Sequence, residues 1–348
     1  MRPEIAAVVE PLLAGKSPAS GSVRAAIQAL MDGACSEAEI ASLLTAIALR
    51  GEREEDLAEA ASVMREKATC VAPTRRGLLD TCGTGGDRLH TFNISTAAAI
   101  VAAAAGVPVA KHGNRQASSA SGSADVLEAL GVNIQLTAEQ AAKCIDEVGI
   151  GFCFARNLHQ AMKHVAPVRS ALGFRTIFNL LGPLSNPAGA EFQLIGTSRI
   201  ESARRLAGAA SRLGSTRTLV VCGNDQLDEV SLWGTTTVFD VRNGRVTESA
   251  WTVSDFGLSE CSPDSLRVTS PKESADVIRA ILAGKPGPAR DIVIANAAAA
   301  LLTTSRVANI PEGVELATRT LDDGSARQKL AELVAWTQGQ QAENLNRR

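Results

Sequence analysis

Short apolar runs alternate with alanine-rich segments of helical length from about residue 76 of this 348-residue chain. Strands that alternate with helices in this way are typical of a mostly parallel sheet whose two faces are covered by helices. The alternation therefore predicts an α/β fold for the larger part of the chain. The five apolar runs lie at residues 78–79, 107–110, 152–154, 192–195 and 219–222.

Two segments depart from this alternation. Residues 1–70 show the helical spacing of apolar residues without a strand, and Ser36 with Glu39 forms a capping box ahead of one apolar stripe. Residues 236–248 are predicted to form a hairpin, because Asn243-Gly244 suits the tight turn between antiparallel strands. The expected architecture is a large α/β domain with a mostly parallel sheet flanked by helices, plus a small all-helical domain.

Composition and charge argue against several classes of protein. The 35 basic and 37 acidic side chains nearly cancel and aromatic residues make up 3%, which disfavours a nucleic-acid-binding surface. Seven scattered cysteines without a C-x-x-C pair indicate free thiols in a reducing compartment and disfavour structural zinc. No apolar run approaches the roughly 18 residues that a membrane span needs. We therefore expect a cytoplasmic protein with neither a nucleic-acid nor a membrane partner.

The most informative stretch runs from Asp80 to Thr96 and contains Gly-Thr-Gly-Gly-Asp at 83–87. Glycines after a strand let backbone N–H groups approach a ligand, and the free N–H groups of the helix that follows favour phosphate. An ordinary turn with an Asn or Ser helix cap is the alternative. Asp87 inside the loop favours a phosphate site, although the glycine spacing matches neither the dinucleotide fingerprint nor the Walker loop.

Two further stretches follow predicted strands. Lys111-His-Gly-Asn-Arg115 and the serines after it are rich in hydrogen-bond donors, with a solvated loop as the alternative. Asp228 and Glu229 are adjacent carboxylates, a pattern that suits Mg²⁺ and that also occurs on ordinary surfaces. Loops after two strands of an open α/β sheet can share one crevice, so we expect the Lys111–Arg115 loop to lie beside the glycine-rich loop.

A fourth stretch, residues 157–169, is predicted to be helical and to present His159, Lys163 and Arg169 on one face. Arginine suits bidentate recognition of a planar carboxylate, whereas a solvated helix face is the alternative. No arrangement typical of a covalent nucleophile stands out. The four stretches together indicate a transfer reaction on a phosphorylated substrate.

These stretches resemble the anthranilate phosphoribosyltransferase family, within the nucleoside phosphorylase and phosphoribosyltransferase fold group. The resemblance implies Mg²⁺-dependent transfer of phosphoribose from 5-phosphoribosyl 1-diphosphate (PRPP) to the amine of anthranilate, with release of diphosphate, in the second step of tryptophan biosynthesis. It extends from about residue 30 to 335. The matching runs are GTGGD at 83–87, TFNIST at 91–96, KHGNR at 111–115, GSADVLEALG at 122–131, AMKHVAPVR at 161–169, RTIFNLLGPLSNPA at 175–188 and LDE at 227–229.

The resemblance also implies a domain organisation and an oligomer. The small helical domain would comprise residues 1–72 together with helices from about 158–186. The large PRPP-binding domain would comprise residues 73–157 and 187–348. A homodimer through the helical domain is expected.

The resemblance assigns ligands by matching position. Ser95, Asp228 and Glu229 would ligate two Mg²⁺ ions. PRPP would be held by Gly83, Gly86, Asp87, Thr91, Asn93, Ile94, Ser95, Thr96, Lys111, His112, Gly113, Asn114, Arg115, Gln116, Ala117, Ser118, Ser119 and Ser123.

Anthranilate would contact Gly83, Asn114 and Arg169, whose guanidinium would face the substrate carboxylate. His112 and Arg169 would position the substrates, and no residue is assigned as a covalent nucleophile or general base. Two departures from the family pattern concern loop geometry: Arg88 and Gln226 stand where glycine is common.

Three alternatives are open at this point: a phosphoribosyltransferase for another aromatic amine, a pyrimidine nucleoside phosphorylase and a non-catalytic binding protein. A phosphorylase would carry a lysine-serine-glycine signature where this chain has KHGNR. A non-catalytic protein would be expected to have lost some of Asp87, Lys111, Asp228 and Glu229, and all four are present.

Overall fold

Seven strands form one sheet in the computed structural model, which describes residues 1–87, 89–115 and 122–346. The strands are β1 Leu79–Gly83, β2 Val109–Gly113, β3 Ile150–Phe154, β4 Phe192–Gly196, β5 Arg217–Gly223, β6 Thr236–Arg242 and β7 Arg245–Trp251. Their order in the sheet is β3-β2-β1-β4-β5-β6-β7. The first five are parallel to one another, and β6 and β7 are antiparallel, so the predicted mostly parallel sheet is confirmed.

Helices flank the sheet and form the whole amino-terminal region. The α-helices are α1 Pro3–Leu13, α2 Ser22–Met31, α3 Glu37–Arg50, α4 Glu54–Lys67, α5 Ile94–Ala104, α6 Ser123–Ala129, α7 Ala138–Val148, α8 Ala155–Leu158, α9 Ala166–Leu172, α10 Phe178–Leu181, α11 Ile200–Leu213, α12 Val253–Phe256, α13 Pro271–Leu282, α14 Pro288–Thr303, α15 Ile310–Asp322 and α16 Ser325–Asn346. Short 3₁₀ helices lie at Gln160–His164 and Pro263–Leu266. None of the helices in the described ranges is both long and apolar enough to cross a membrane.

Local sequence accounts for several element boundaries. Helix α3 begins at the predicted capping box, where the Ser36 N–H donates to a Glu39 carboxylate oxygen at 2.9 Å, and it ends at Gly51. Between β6 and β7, Asn243 and Gly244 have φ of 51° and 74°, the left-handed dihedrals of a type I′ turn. The predicted antiparallel hairpin at the edge of the sheet is therefore confirmed.

Two clusters of buried apolar side chains stabilise the molecule. The larger surrounds the parallel strands, where α5 and α14 pack through fully buried alanines such as Ala98 and Ala299. Small side chains at such a contact let helix axes approach closely. The second cluster unites α1–α4 and α11 with Val165, Ile177 and Leu181, and it continues onto one face of β4–β6. Residues 165–184 therefore pack against the amino-terminal helices.

The direction in which strands are added changes at β1. The chain passes from β1 to β2 and β3 on one side, and it later adds β4 and β5 on the other side. The carboxyl ends of β1 and β4 therefore flank a crevice, which is where open α/β sheets bind their ligands. The loops after β1, β2 and β5 all leave the sheet at this edge.

Candidate active site

The glycine-rich loop begins at the end of β1 and packs tightly against neighbouring strands. The Thr84 N–H donates to the Gly196 carbonyl at 2.8 Å, and Gly85 and Gly86 have φ of 68° and 78°. A β-carbon on Gly83 would lie 2.7 Å from Asp228 Oδ2. Left-handed dihedrals and this close approach both require residues without a side chain, so the loop has a defined shape.

Three carboxyl groups gather beside this loop. Asp228 Oδ2 accepts from the Gly85 N–H at 2.9 Å, and Glu229 Oε1 accepts from the Ser95 N–H at 3.0 Å. Asp87 and Asp228 interact directly through their carboxyl groups. The cluster thus joins the loop after β1, the start of α5 and the loop after β5.

Burial and mutual repulsion disfavour charge on these carboxyls. Loss of hydration, followed by the charge of Asp87, raises the pKa of Asp228 to about 7. Burial and then the charge of Asp228 raise the pKa of Glu229 well above its usual range, and burial also raises the pKa of Asp87. The side chains are nevertheless partly accessible from the crevice. Clustered oxygen ligands with this excess of negative charge fit a hard divalent cation such as Mg²⁺.

Lys111 lies within the sheet, close enough to this cluster for its charge to act on Glu229. Its side chain is buried, and Nζ donates to the Thr81 carbonyl and lies 3.4 Å from Ser95 Oγ. Asp80 is also buried, and desolvation raises its pKa to about 6 despite the opposing charge of Lys111. Lys111 therefore links β2 to β1 and to the start of α5, next to the proposed ligands.

The start of α5 is organised by its cap. Asn93 Oδ1 accepts from the Thr96 N–H at 3.1 Å and also from the Thr96 hydroxyl, and the Asn93 N–H donates to Ser274 Oγ at 2.9 Å. Ile94 is buried in the core and its N–H donates to the Phe92 carbonyl. Of the residues at this helix start, Ser95 has its hydroxyl beside Lys111, towards the carboxylates.

The loop after β2 contacts α6, and its Arg115 pairs with carboxylates of that helix. A β-carbon on Gly113 would lie 2.1 Å from Ser123 Oγ, so the loop and α6 are in close contact. Arg115, assigned to PRPP by the resemblance, is ion-paired with Asp125 at 2.7 Å and with Glu128 at 2.6 Å. These carboxylates raise its pKa further. The assigned residues Gln116, Ala117, Ser118 and Ser119, like Arg88, lie outside the described residues.

The outer wall of the crevice comes from residues 155–184, which are not one helix. The chain forms α8, a 3₁₀ turn and α9, with Pro167 in the first turn of α9. The prediction that His159, Lys163 and Arg169 share a helical face is therefore wrong: His159 is buried and Lys163 is exposed. Proline cannot continue a helix that precedes it, which explains the break.

Arg169 is half-buried and carries no carboxylate partner among the residues that the structure describes. Its guanidinium carbon lies 5.3 Å from the centre of the Phe178 ring, and burial lowers its pKa. A planar cation held by an aromatic face without a counter-ion suits an organic carboxylate.

His112 and His159 form a buried pair between β2 and this outer wall. Their Nε2 atoms are 3.2 Å apart, and His112 Nδ1 is 3.1 Å from the Gly182 carbonyl oxygen. A carbonyl only accepts, so a neutral His112 donates from Nδ1 to Gly182, and its unprotonated Nε2 faces Nε2 of His159. Burial lowers the pKa of His112 to about 3 and that of His159 to about 4, so both rings are neutral near pH 7.

We expect the His159→Gln variant to lose stability less steeply than wild type as pH falls from 6.5 to 4. In wild type the unfolded chain binds a proton at His159 near pH 6.5, whereas the folded chain does so only near pH 4, so stability falls over this window. The difference in slope is about 1.4 kcal/mol per pH unit. Chemical denaturation across this range measures it, with His164→Gln, which removes an exposed imidazole, as control. Equal slopes in wild type and His159→Gln would contradict the assignment.

Sequence reasoning missed the role of Gly196, the last residue of β4. A β-carbon there would lie 1.6 Å from the Asp228 carbonyl oxygen, so Asp228 sits directly over the ends of β1 and β4. Nothing local to Gly196 signals this contact, because its partner is far along the chain. Gln226 causes no strain, since the left-handed positions of its loop are Asn224 and Asp225, each with φ of 54°.

Comparisons with known proteins agree with this geometry. Residues 6–68 match the glycosyl transferase family helical bundle domain, and residues 75–327 match the glycosyl transferase family a/b domain. An anthranilate phosphoribosyltransferase of Thiobacillus denitrificans is 49% identical over 320 residues, which cover 91% of this chain and 93% of that relative.

Solved structures extend the likeness to three dimensions. An anthranilate phosphoribosyltransferase from Thermus thermophilus superposes with a TM-score of 0.90 at 43% identity, covering 95% of this chain and 99% of its own. The enzyme of that name from Saccharomyces cerevisiae, in complex with PRPP and Mg, gives a TM-score of 0.90 at 28% identity, covering 97% and 99%. With a helical bundle and an α/β sheet like theirs, and nearly half of its aligned residues shared with the Thiobacillus protein, the chain belongs to the anthranilate phosphoribosyltransferase family.

Proposed function

We propose that this chain transfers the phosphoribosyl group of PRPP to the amine of anthranilate, giving N-(5-phosphoribosyl)anthranilate and diphosphate in the tryptophan pathway. The observation that carries the proposal is the carboxylate cluster of Asp87, Asp228 and Glu229 beside the glycine-rich loop. Arg169 on the outer wall is half-buried and pairs with no carboxylate in the described part of the chain, which supports a carboxylate-bearing acceptor. Mg²⁺ supports the reaction, and we infer two ions.

Asp228, Glu229 and the Ser95 hydroxyl are the residues that we propose as Mg²⁺ ligands. When bound, Mg²⁺ stabilises the negative charge that develops on the departing diphosphate. Asp87 belongs to the same carboxylate cluster, so we assign it to the metal side of the PRPP site. The backbone of the glycine-rich loop and the start of α5 would hold the phosphate groups, because unpaired N–H groups favour anions.

The reaction breaks the bond between the ribose anomeric carbon and diphosphate and forms a bond from that carbon to the anthranilate nitrogen. The acceptor amine attacks in its neutral form and then releases a proton to solvent. His112 and His159 are neutral and hydrogen-bonded, so we assign them to orientation of the acceptor pocket and not to proton abstraction. Correct placement of the two reactants supplies much of the rate.

We expect the Arg169→Gln variant to raise KM for anthranilate by roughly tenfold to a hundredfold, because a charge-assisted bidentate contact contributes about 1.5–3 kcal/mol. KM for PRPP should change little, since Arg169 lies on the outer wall. Initial rates with each substrate varied in turn measure the two constants. A larger effect on PRPP than on anthranilate would contradict the assignment.

Anthranilate fluorescence tests the proposed function. Purified protein, PRPP and Mg²⁺ should make the signal decay, and omission of either substrate or addition of EDTA should stop it. Other aromatic amines serve as alternative acceptors. A folded protein that leaves anthranilate unchanged while consuming PRPP with another amine would retain the phosphoribosyl site and overturn the acceptor.

We also propose the domain organisation suggested by the resemblance. Val165, Ile177 and Leu181 share an apolar cluster with α1–α4, which supports one domain of residues 1–72 and about 158–186. Residues 73–157 and 187–348 would form the other. The cytoplasmic location expected from the sequence stays a prediction.

A homodimer through the helical domain is supported by two exposed leucines. Leu13 at the end of α1 is 80% exposed, and Leu49 on α3 is 84% exposed. The two helices that carry these side chains contact each other. Exposed apolar groups of this size are typical of association surfaces when they occur together.

We expect the Leu13→Glu, Leu49→Glu double variant to be a monomer. Two buried charges at an interface disfavour association strongly, whereas the fold loses no buried contact. Light scattering after size exclusion should give twice the 36.2 kDa chain mass for wild type and the single mass for the variant. Val246→Glu, on the remote edge strand, is the control. A wild-type protein that is monomeric at micromolar concentration would contradict the dimer.

A further inference from the structure

We propose that Arg175, from the segment between α9 and α10, binds the diphosphate group of PRPP and of the released product. The proposal rests on the proposed function for the identity of the anion. It adds a cation from the outer wall to a site whose other proposed ligands come from the sheet edge.

The position of Arg175 is defined by Gly86. A β-carbon on Gly86 would lie 3.4 Å from Nη1 and 3.9 Å from Cζ of Arg175, so the guanidinium lies directly over the glycine-rich loop. Gly86 precedes Asp87, which belongs to the carboxylate cluster. A cation in this place is adjacent to the loop that we assign to phosphate and to the residues that we assign to Mg²⁺.

The backbone around Arg175 is fixed by neighbouring contacts, whereas its guanidinium pairs with no residue in the described ranges. Gly173 ends α9 with φ of 68°, and the Thr176 N–H donates to Asn179 Oδ1 at 2.9 Å. Thr176 is itself buried. In contrast, Arg175 is exposed and makes neither an ion pair nor a hydrogen bond with any residue in the described ranges. A fixed backbone with an unoccupied guanidinium is the arrangement expected of a ligand-binding arginine.

The surroundings of Arg175 favour a bound ligand, and not a carboxylate of the protein itself, as its negatively charged partner. Asp87 is adjacent in the chain to Gly86, yet Arg175 forms no ion pair with Asp87 or with any other carboxylate in the described ranges. Arg115 shows the contrasting case, because two carboxylates occupy its guanidinium. If the carboxylates of the crevice bind metal, Arg175 is left to bind the anion that accompanies the metal.

Diphosphate matches the chemistry that Arg175 offers. A guanidinium presents a planar fork of N–H donors that binds phosphate oxygens in a bidentate manner, and it remains charged at every physiological pH. Mg²⁺ in proteins is commonly held by one or two carboxylates together with substrate phosphates. A diphosphate between the carboxylate cluster and Arg175 would satisfy both groups.

Calorimetric titration of inorganic diphosphate, in the presence of Mg²⁺, tests the proposal directly. We expect Arg175→Gln to weaken diphosphate binding by roughly tenfold to a hundredfold. Arg175→Lys should fall between Arg175→Gln and wild type, because lysine keeps the charge but loses the fork. Arg76→Gln is the matched control: Arg76 is exposed and lies before the amino end of β1, at the opposite edge of the sheet.

Steady-state kinetics separates binding from a structural role. Arg175→Gln should raise KM for PRPP and leave KM for anthranilate within about twofold of wild type. Wild-type affinity for diphosphate in a folded Arg175→Gln variant would overturn the proposal even if the enzyme acts on anthranilate. If wild type fails to use anthranilate but its diphosphate affinity depends on Arg175, the acceptor assignment fails and the role of Arg175 stands.

Discussion

The Asp228→Asn variant is expected to lose about 10²–10³-fold in kcat/KM with Mg²⁺, and yet to unfold at a higher temperature than wild type in EDTA. The loss of activity follows from removal of a proposed metal ligand that stabilises the leaving group. The gain in stability follows from the cost of ionising this carboxyl inside the folded protein. Activity and stability should therefore change in opposite directions.

The raised pKa of Asp228 determines the direction in which the stability of the metal-free protein changes with pH. Burial and the charge of Asp87 raise the pKa of Asp228 from 3.8 to about 7 in the folded protein. The unfolded chain therefore releases this proton at lower pH, and metal-free stability falls as pH rises from about 4 through about 7. Asparagine cannot ionise, so the variant lacks this loss. For the same reason, added Mg²⁺ should stabilise wild type more at pH 8 than at pH 6.

Thermal unfolding at pH 6 and at pH 8, each with EDTA and with Mg²⁺, measures the changes in stability, and initial rates with Mg²⁺ measure the loss of activity. Asp225→Asn is the control, because Asp225 lies in the same loop and accepts from the Ile200 N–H at the start of α11, a role that an asparagine oxygen can keep. This control should retain activity. If the Asp228→Asn protein is less stable than wild type in EDTA, the ionised Asp228 carboxylate does not destabilise the metal-free protein, and the prediction is wrong.

The Gly196→Ala variant is expected to lose most activity and Mg²⁺ affinity through a single added methyl group. That methyl would lie 1.6 Å from the Asp228 carbonyl oxygen and 2.5 Å from its carbonyl carbon. Backbone cannot rotate away as a flexible side chain can, so the loop that carries Asp228 and Glu229 must shift. Overpacking of this kind costs about 1–3 kcal/mol of stability.

A matched glycine shows whether the effect is specific. Gly339 lies in α16 with open space around its α-carbon, so Gly339→Ala should be neutral or stabilising by up to about 1 kcal/mol, as alanine favours helix. Mg²⁺ titration followed by calorimetry, together with thermal unfolding, measures both variants. Wild-type Mg²⁺ affinity in Gly196→Ala would mean that this close contact does not position the carboxylates.

Features that depend on neighbouring residues could be predicted from the sequence. The capping box of Ser36 and Glu39 marks the start of α3, and Asn243-Gly244 marks the hairpin, since each motif satisfies its own backbone locally. The rule that parallel strands share one carboxyl edge also predicts that the loops after β1 and β2 line one crevice. That Ser95 and Asp228 belong to one site is implied only by the resemblance to the family.

Features that depend on distant contacts could not be predicted in this way. Periodicity predicts one helix for residues 157–169, and Pro167 marks its break locally. The burial of His159 against His112, in contrast, has no local signal. Arg115 looked available for a ligand, although α6 supplies carboxylates that pair with it. Such pairings depend on how elements pack, and a sequence pattern carries little information about them.

The stoichiometry of the products tests the central claim most directly. Wild-type protein would be incubated with PRPP, anthranilate and Mg²⁺, and both diphosphate and the anthranilate adduct would be quantified by chromatography with mass detection. We expect one diphosphate for each anthranilate that gains a phosphoribosyl group, and neither product in EDTA. Release of diphosphate without an anthranilate adduct, or turnover that persists without metal, would contradict the account.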